Sequence, residues 1–372
     1  MANKLKWNET SEKDTEEKEN KPDATSKTLI VEYDDKRIET FIQQNSPINN
    51  EMIRNSVVND LIPTDIDGQM SIIPTEVTTR AKKGKLAPVV TLCSFSYDNN
   101  TDIEIMTTKR GNKITAYDRR VYNAVSTLYL NGRKTVSIAE IYAVMTGYIR
   151  ANPPKTTRDT IEQSLRKLSS INVFIDLTNE MNANMIKDKE PLIKAGILSD
   201  NNDKMKKVSL EDKMIHIKIG TLESESGKVF KSIQIINEPT LLTYNRAKKT
   251  LISIPMNYIG LTNSNTTERT IAFQDYLLLR IINYKNGKMK ENKILYDTIY
   301  KESGIDKPST KKDETDRKGV KRDRETILKM MDEWKQNGLI SNYYEFKSNK
   351  TIKGLVFEIP GMEPKKIEEQ NI

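Results

Sequence analysis

Between residues 113 and 180 the apolar positions recur first with a helical period and then with a strand period. Over Ile114–Asn131, the side chains of Tyr117, Val121, Ala124, Val125 and Leu128 share one face, with Thr115 placed to cap the start and Gly132 just past the end. This predicts a helix. Ser137-Ile-Ala-Glu140 is a capping box, in which the serine oxygen and the glutamate carboxylate each satisfy a free backbone N–H. It opens a second helix whose Ile138, Ile141, Tyr142 and Met145 stripe stops at Gly147. A third helix is capped by Thr156 or Thr157 and carries Ile161, Leu165 and Leu168 at i, i+4 and i+7. From Ile171 the period becomes two, because Ile171, Val173, Ile175 and Leu177 alternate with Asn172, Phe174 and Asp176, and a strand is predicted.

The same order returns near the C-terminus. Thr267–Asn286 places Phe273, Tyr276, Leu277, Ile281 and Tyr284 ahead of a second Asn-Gly stop, and Ile294–Ser303 carries Leu295, Ile299 and a closing Gly304. Lys318–Asn337 then matches the third helix: Arg158-Asp-Thr-Ile161 becomes Arg324-Glu-Thr-Ile327, Leu165 corresponds to Met331 and Leu168 to Trp334. Leu339–Phe346 and Thr351–Ile359 read as strands around a polar Lys347–Lys350 turn. Helix, short β segment, helix, helix, strand is the order of a winged helix. Its recurrence predicts an α+β fold with two winged-helix units in tandem, produced by duplication.

Around these units the pattern weakens. Residues 1–27 are almost wholly polar and predict a disordered tail, as do 361–372. Residues 28–111 form an N-terminal extension: Thr28–Tyr33 as a short strand, Pro47–Ile62 with weak helical periodicity, Pro63–Pro88 as a loop, and Val89–Tyr97 with Ile103–Thr107 as a hairpin. The first unit spans 112–256 and the second 257–360, joined through Asn257–Asn265. Within the first, Asn179–Asp212 reads as a wing tip or insertion too polar to order. Met214–Ile219 and Val229–Ile236 are expected to close the first wing's sheet, with Leu251–Ile254 as an added edge strand.

Composition narrows the chemistry. The chain has 372 residues, 36% apolar and 30% charged, with a net charge of +8 that favours a polyanionic partner. Its one cysteine, Cys93, excludes an internal disulfide framework or a cysteine-based zinc cluster and points to the cytoplasm; it falls in a strand pattern, as a packed residue. No apolar run is long enough to span a bilayer, so no membrane partner is expected. His216 is the only histidine, which excludes nickases that need paired histidines for a metal, and its outward place on an alternating strand makes it a solvated side chain. There is no G-x-x-x-x-G-K-[ST] phosphate loop. No carboxylates fall at a metal-site spacing; Asp176 and Glu180 read as wing-surface charges. No catalytic residue, metal or cofactor is predicted.

The basic third helices carry the functional expectation, because a winged helix inserts the N-terminal half of that helix into the major groove. With Ile161, Leu165 and Leu168 turned inward, Thr157, Arg158, Gln163, Arg166 and Lys167 face solvent or DNA. With Ile327, Met331 and Trp334 inward, Lys321, Arg322, Arg324, Glu325 and Lys329 do so in the second unit. Lys350, in the Ser348-Asn-Lys350 wing tip, fits either phosphate contact or a plain turn. The connections Tyr148–Lys155 and Ile305–Arg317 are longer than a compact helix-turn-helix uses.

This duplicated order, with its Ile-Thr-Ala-Tyr-Asp-Arg-Arg start at Ile114 and its basic third helices, resembles the replication initiator family of theta-replicating plasmids and related mobile elements, over about 112–360. The resemblance implies a sequence-specific double-stranded DNA-binding protein whose two winged helices bind origin repeats. It also implies recruitment of host helicase or initiator proteins, and a homodimer surface on the first unit. A transcription regulator or partition adaptor built from the same modules is the alternative, and a structural module that binds protein is a third.

Overall fold

The computed structural model describes residues 31–33, 36–45, 64–66, 69–71, 75–78, 89–94, 114–147, 153–182, 184–199, 207–223, 225, 229–260, 267–308, 314–348 and 351–362. The predicted tail at residues 1–27, residues 363–372 of the other tail, Pro47–Ile62, the basic stretch Arg80–Lys85, Ile103–Thr107 and Lys350 lie outside them. The fold is mixed α and β. Seven short strands come first: β1 (Val31–Tyr33), β2 (Lys36–Ile38), β3 (Thr40–Gln44), β4 (Thr64–Ile66), β5 (Gln69–Ser71), β6 (Thr75–Thr78) and β7 (Val89–Ser94). The Pro63–Pro88 loop is thereby corrected. Strands β4, β5 and β6 fall within it, where the prolines and glycines were expected to break every pattern.

Helix α1 (Ala116–Leu130) opens on Thr115, whose side chain accepts from the Asp118 N–H while the Asp118 carboxylate accepts from the Thr115 N–H. Strand β8 (Thr135–Ser137) leads into α2 (Ile138–Thr146), where the Ser137–Glu140 box forms as expected. Helix α3 (Lys155–Ser170) starts earlier than predicted. Pro154 is its cap and accepts from the Arg158 N–H at 3.0 Å, so Thr156 and Thr157 lie inside the first turn and cap nothing.

The strand after α3, β9 (Ile171–Asp176), does not join β8. It pairs with β7 and with β10 (Ser209–Lys213) in a sheet ordered β10-β9-β7-β6. Both edges of β7 are therefore filled by β9 and β6. Strands β11 (Ile217–Glu223) and β12 (Val229–Ile235) form a sheet with β8 and not with β9, the strand whose sheet they are expected to close.

The described residues of Asn179–Asp212 are not simply polar and solvated: they include α4 (Thr178–Asn182) and α5 (Glu190–Lys194) and bury Ile186, Leu192 and Leu198. Glu180, read from sequence as a surface charge, is 1% exposed and accepts from Lys248 Nζ at 2.7 Å and Tyr244 Oη at 3.3 Å. Both partners sit on α6 (Thr240–Lys248), some 60 residues further on, where local pattern does not reach. Strand β13 (Leu251–Pro255) likewise adds to β3 rather than to the wing, carrying Phe41 of β3 into the core.

The second unit follows its predicted order: α7 (Glu268–Lys285) capped by Thr267, β14 (Lys293–Leu295), α8 (Tyr296–Ser303), α9 (Glu314–Gln336), β15 (Asn342–Ser348) and β16 (Thr351–Glu358). Helix α9 begins four residues before Lys318, which shortens the connection expected at Ile305–Arg317. Its sheet is ordered β14-β16-β15. Gly354 of β16 lies so close to β14 that a β-carbon there would collide with the Ile294 carbonyl oxygen and the Leu295 Cα.

One apolar core runs through both units, from Phe41 to Phe357. At the start of the segment between them Ile259 is buried, as is Met256 just before it, and a β-carbon on Gly147, itself at φ +73, would lie 2.9 Å from the Gly260 nitrogen. Helices α1 and α7 run side by side in the same direction, with Ala116 against Ile271 and Ala272, and Arg120 against Gln274 and Asp275.

Candidate nucleic-acid interface

Each third helix is held on two sides, and the clamps decide which of its cations remain available. In α3, Ile161, Leu165 and Leu168 are wholly buried. Asp118 Oδ2, which caps α1, also accepts from Lys167 Nζ at 2.7 Å, and Oδ1 accepts from the Ser164 hydroxyl at 2.7 Å. Lys167 is thus a tie between α1 and α3, and its outward reading is corrected. On the opposite flank Glu162 accepts from Arg166 at 2.8 Å and from Lys231 of β12, linking α3 to the wing sheet. Burial raises the Glu162 pKa, but the Lys231 and Arg166 hydrogen bonds outweigh it and the carboxyl titrates below its ordinary range. Arg166 is half exposed yet committed to this pair.

Arg158 and Gln163 are exposed and have no side-chain partner among the described residues. Thr157 is half-buried beside a shallow cleft lined by Thr115, Tyr117, Thr160 and Glu268. Of the α3 residues expected to meet DNA, Arg158 and Gln163 are therefore open to a ligand, with Thr157 at the edge.

In α9 the inward set is as expected: Ile327, Met331 and Trp334 are wholly buried, and Trp334 Nε1 donates to the Tyr258 carbonyl at 3.0 Å. Asp323 receives Arg269 of α7 on both oxygens, at 2.7 and 2.8 Å, and the Tyr300 hydroxyl at 2.9 Å. Arg324 makes a two-pronged pair with Glu345 of β15, its Nε 2.6 Å from Oε1, and Tyr296 Oη donates to the same oxygen at 2.5 Å. The hydrogen bond to Glu345 raises the Arg324 pKa further. Arg324 was grouped with the outward cations; its neighbour Glu345, 21 residues away, turns it to the wing instead.

Arg322 and Lys329 are exposed and unpaired among the described residues, and Lys321 is 78% exposed with Glu325 Oε1 3.9 Å away. At helical spacing Lys321 or Arg322, Glu325 and Lys329 follow one another along one stripe. On the neighbouring wing Lys347, Ser348 and Lys353 are exposed, and Lys293 Nζ stands 4.1 Å from the centroid of the Phe346 ring. Lys347 and Lys353, exposed on β15 and β16, were not among the cations expected to meet DNA, although their place on either side of the polar 347–350 segment is the signal that could have found them.

His216 is partly exposed, with Nδ1 3.4 Å from Asn237 Nδ2. Among the described residues no group of His, Cys, Asp and Glu side chains could hold a metal ion, and no helix is long and apolar enough to cross a membrane.

No protein-family model matches the chain, and no curated protein matches it. Among solved structures it is similar to two crystal structures of domains 2 and 3 of RctB. The first, of selenomethionine derivatives, is 10% identical with a TM-score of 0.39, covering 84% of this chain and 97% of that one. The second is 8% identical with a TM-score of 0.36, covering 77% and 91%. Likeness at this level is too distant to carry fold or function across.

Proposed function

We propose that the chain is a sequence-specific double-stranded DNA-binding protein made of two winged-helix units, and that it serves as a replication initiator of a plasmid or related mobile element. It would bind origin repeats and recruit host replication proteins in the cytoplasm, without catalysing a reaction itself. The observation that carries the reading is the repeated construction of α3 and α9. Each is fixed to its own first helix through an aspartate, Asp118 or Asp323, and to its own wing through a glutamate, Glu162 or Glu345. Each still presents an unpaired arginine, Arg158 or Arg322, from its exposed N-terminal half. A rigid helix with free arginines suits major-groove reading, where a guanidinium bridges guanine O6 and N7. Positive charge on the adjoining wing suits phosphate contact.

The open faces of the two helices differ: Arg158 with Gln163 on one, Lys321, Arg322 and Lys329 on the other. One chain would therefore cover one asymmetric site, as tandem direct repeats require, whereas a dimeric regulator would select inverted repeats. The test is to select bound fragments from the replicon that carries the gene and footprint the full chain on them. Protection of repeated sites spanning two successive grooves is expected. Absence of retardation, or an affinity indifferent to salt, would leave the winged helices as protein-binding modules.

A further inference from the structure

A cavity of about 270 Å³ opens where α1, β3, α7 and α8 meet, away from the exposed faces of α3 and α9. Two arginines from different units line it: Arg119 of α1 and Arg280 of α7. The Nε of each is buried with no hydrogen-bond partner, as is Oε1 of Gln43, a side chain only 3% exposed. Buried polar atoms in folded proteins nearly always find partners, and a cluster of unmet ones calls for a specific reason. Neither arginine forms an ion pair among the described residues; Arg280 donates only to neutral atoms, Met289 Sδ at 2.8 Å and the Glu291 carbonyl at 3.4 Å.

The nearby carboxylates do not answer this need. Asp275 also lines the cavity, but its Oδ1 lies 2.6 Å from the buried guanidinium of Arg120, and Glu302 already has a partner. Burial pulls Arg119 below its ordinary arginine pKa against the opposing pull of Asp275, Glu268 and Asp118. An oxyanion in the cavity would be flanked by both guanidinium groups.

We propose that this cavity is a binding site for a small oxyanion, bridged by Arg119 of the first unit and Arg280 of the second. Because the two arginines belong to different units, occupancy would stiffen the junction between them and bias the relative setting of α3 and α9. The site is independent of DNA recognition and is tested without DNA.

The full chain is titrated with inorganic phosphate, and separately with citrate, at constant ionic strength while thermal unfolding and heat of binding are followed. Phosphate and citrate both raise Tm by excluded-ion effects, so the comparison with variants decides. A saturable heat and a Tm rise above that of the variants are expected, with affinity at least tenfold weaker in Arg119→Gln and in Arg280→Gln. Phosphate alone binding would assign a phosphate ligand; citrate alone, a carboxylate. Thr298→Phe, which fills the cavity without removing charge, is to abolish the heat as well, and serves if an arginine variant fails to fold. No saturable heat from either anion, or equal heats in wild type and Thr298→Phe, would overturn the site and leave the cavity to water.

Discussion

Arg120 Nη2 lies 2.6 Å from Asp275 Oδ1, and each residue stands eleven positions before the Asn-Gly that ends its helix. The same count of fifteen relates Ala116 to Ile271, which also touch. Equivalent positions of α1 and α7 therefore face each other along parallel helices, which places an approximate two-fold axis between them. The pair is almost wholly buried, at 1% and 5% side-chain exposure, and is reinforced by Gln274 Oε1 at 2.7 Å and by the Phe41 ring 5.2 Å from the guanidinium.

Removing one member of such a pair strands the other in the core. Arg120→Ala is expected to cost about 3–5 kcal/mol, whereas replacing both Arg120 and Asp275 by leucine restores much of it. Because one core spans both units, urea unfolding followed by tryptophan fluorescence and by far-UV circular dichroism should give a single coincident transition. Two separated transitions in the wild type would show that the units fold independently.

The clamps on α9 divide its arginines by role. Arg322→Ala and Arg158→Ala should leave Tm nearly unchanged and weaken the specific site by about 1–3 kcal/mol with relaxed preference at one base pair. Arg324→Ala should lower Tm instead, since it leaves Glu345 half-buried without its cation. Lys329→Ala should weaken all sequences alike and reduce the salt slope by about one. If the whole surface neutralises roughly 6–10 phosphates, log affinity falls against log salt with a slope of about −5 to −9. Base preference unchanged in both arginine variants would remove α3 and α9 from sequence reading.

Acid should loosen the wing of the second unit first. Burial raises the Glu345 pKa, but Arg324 and Tyr296 outweigh it, so the folded value lies below the ordinary one. A depressed carboxyl contributes stability that is full above its unfolded pKa, roughly 4.3, and is lost as pH falls through the lower folded value. In Glu345→Gln the decline of Tm over that acid window should flatten. An unchanged acid limb would mean that other carboxyls govern it.

Residues 184–199 should resist limited proteolysis, because Leu192 and Leu198 are buried and the Lys187 and Asp188 N–H groups donate to the Ala247 carbonyl. Glu180→Ala leaves Lys248 buried and unpaired and is expected to cost about 3–5 kcal/mol. Leu192→Ala should cost about 2–5 kcal/mol. Early cleavage within 184–199, or melting unchanged in both variants, would return this segment to a solvated insertion.

The sequence by itself determined the elements whose signals are local. The N-cap at Thr115, the capping box at Ser137, the apolar stripes of α1, α2, α3, α7 and α9 and the glycines at 132, 147, 287 and 304 lie within a few residues of the structure they specify. Burial then fell where periodicity put it, with Leu165, Leu168, Met331 and Trp334 wholly buried. Tertiary structure alone decided strand partnership and charge commitment. A period of two says that Ile171–Asp176 is a strand and is silent about whether β7 or β8 is its neighbour, because any edge offers the same ladder of donors and acceptors. Likewise the outward position of Arg324 and Lys167 on a helical wheel is local, while Glu345 and Asp118, which hold them, arrive from elements 21 and 49 residues away. Glu180 is the same case in reverse: a polar segment reads as solvated until Lys248 and Tyr244 come over it, and only the folded chain brings them there.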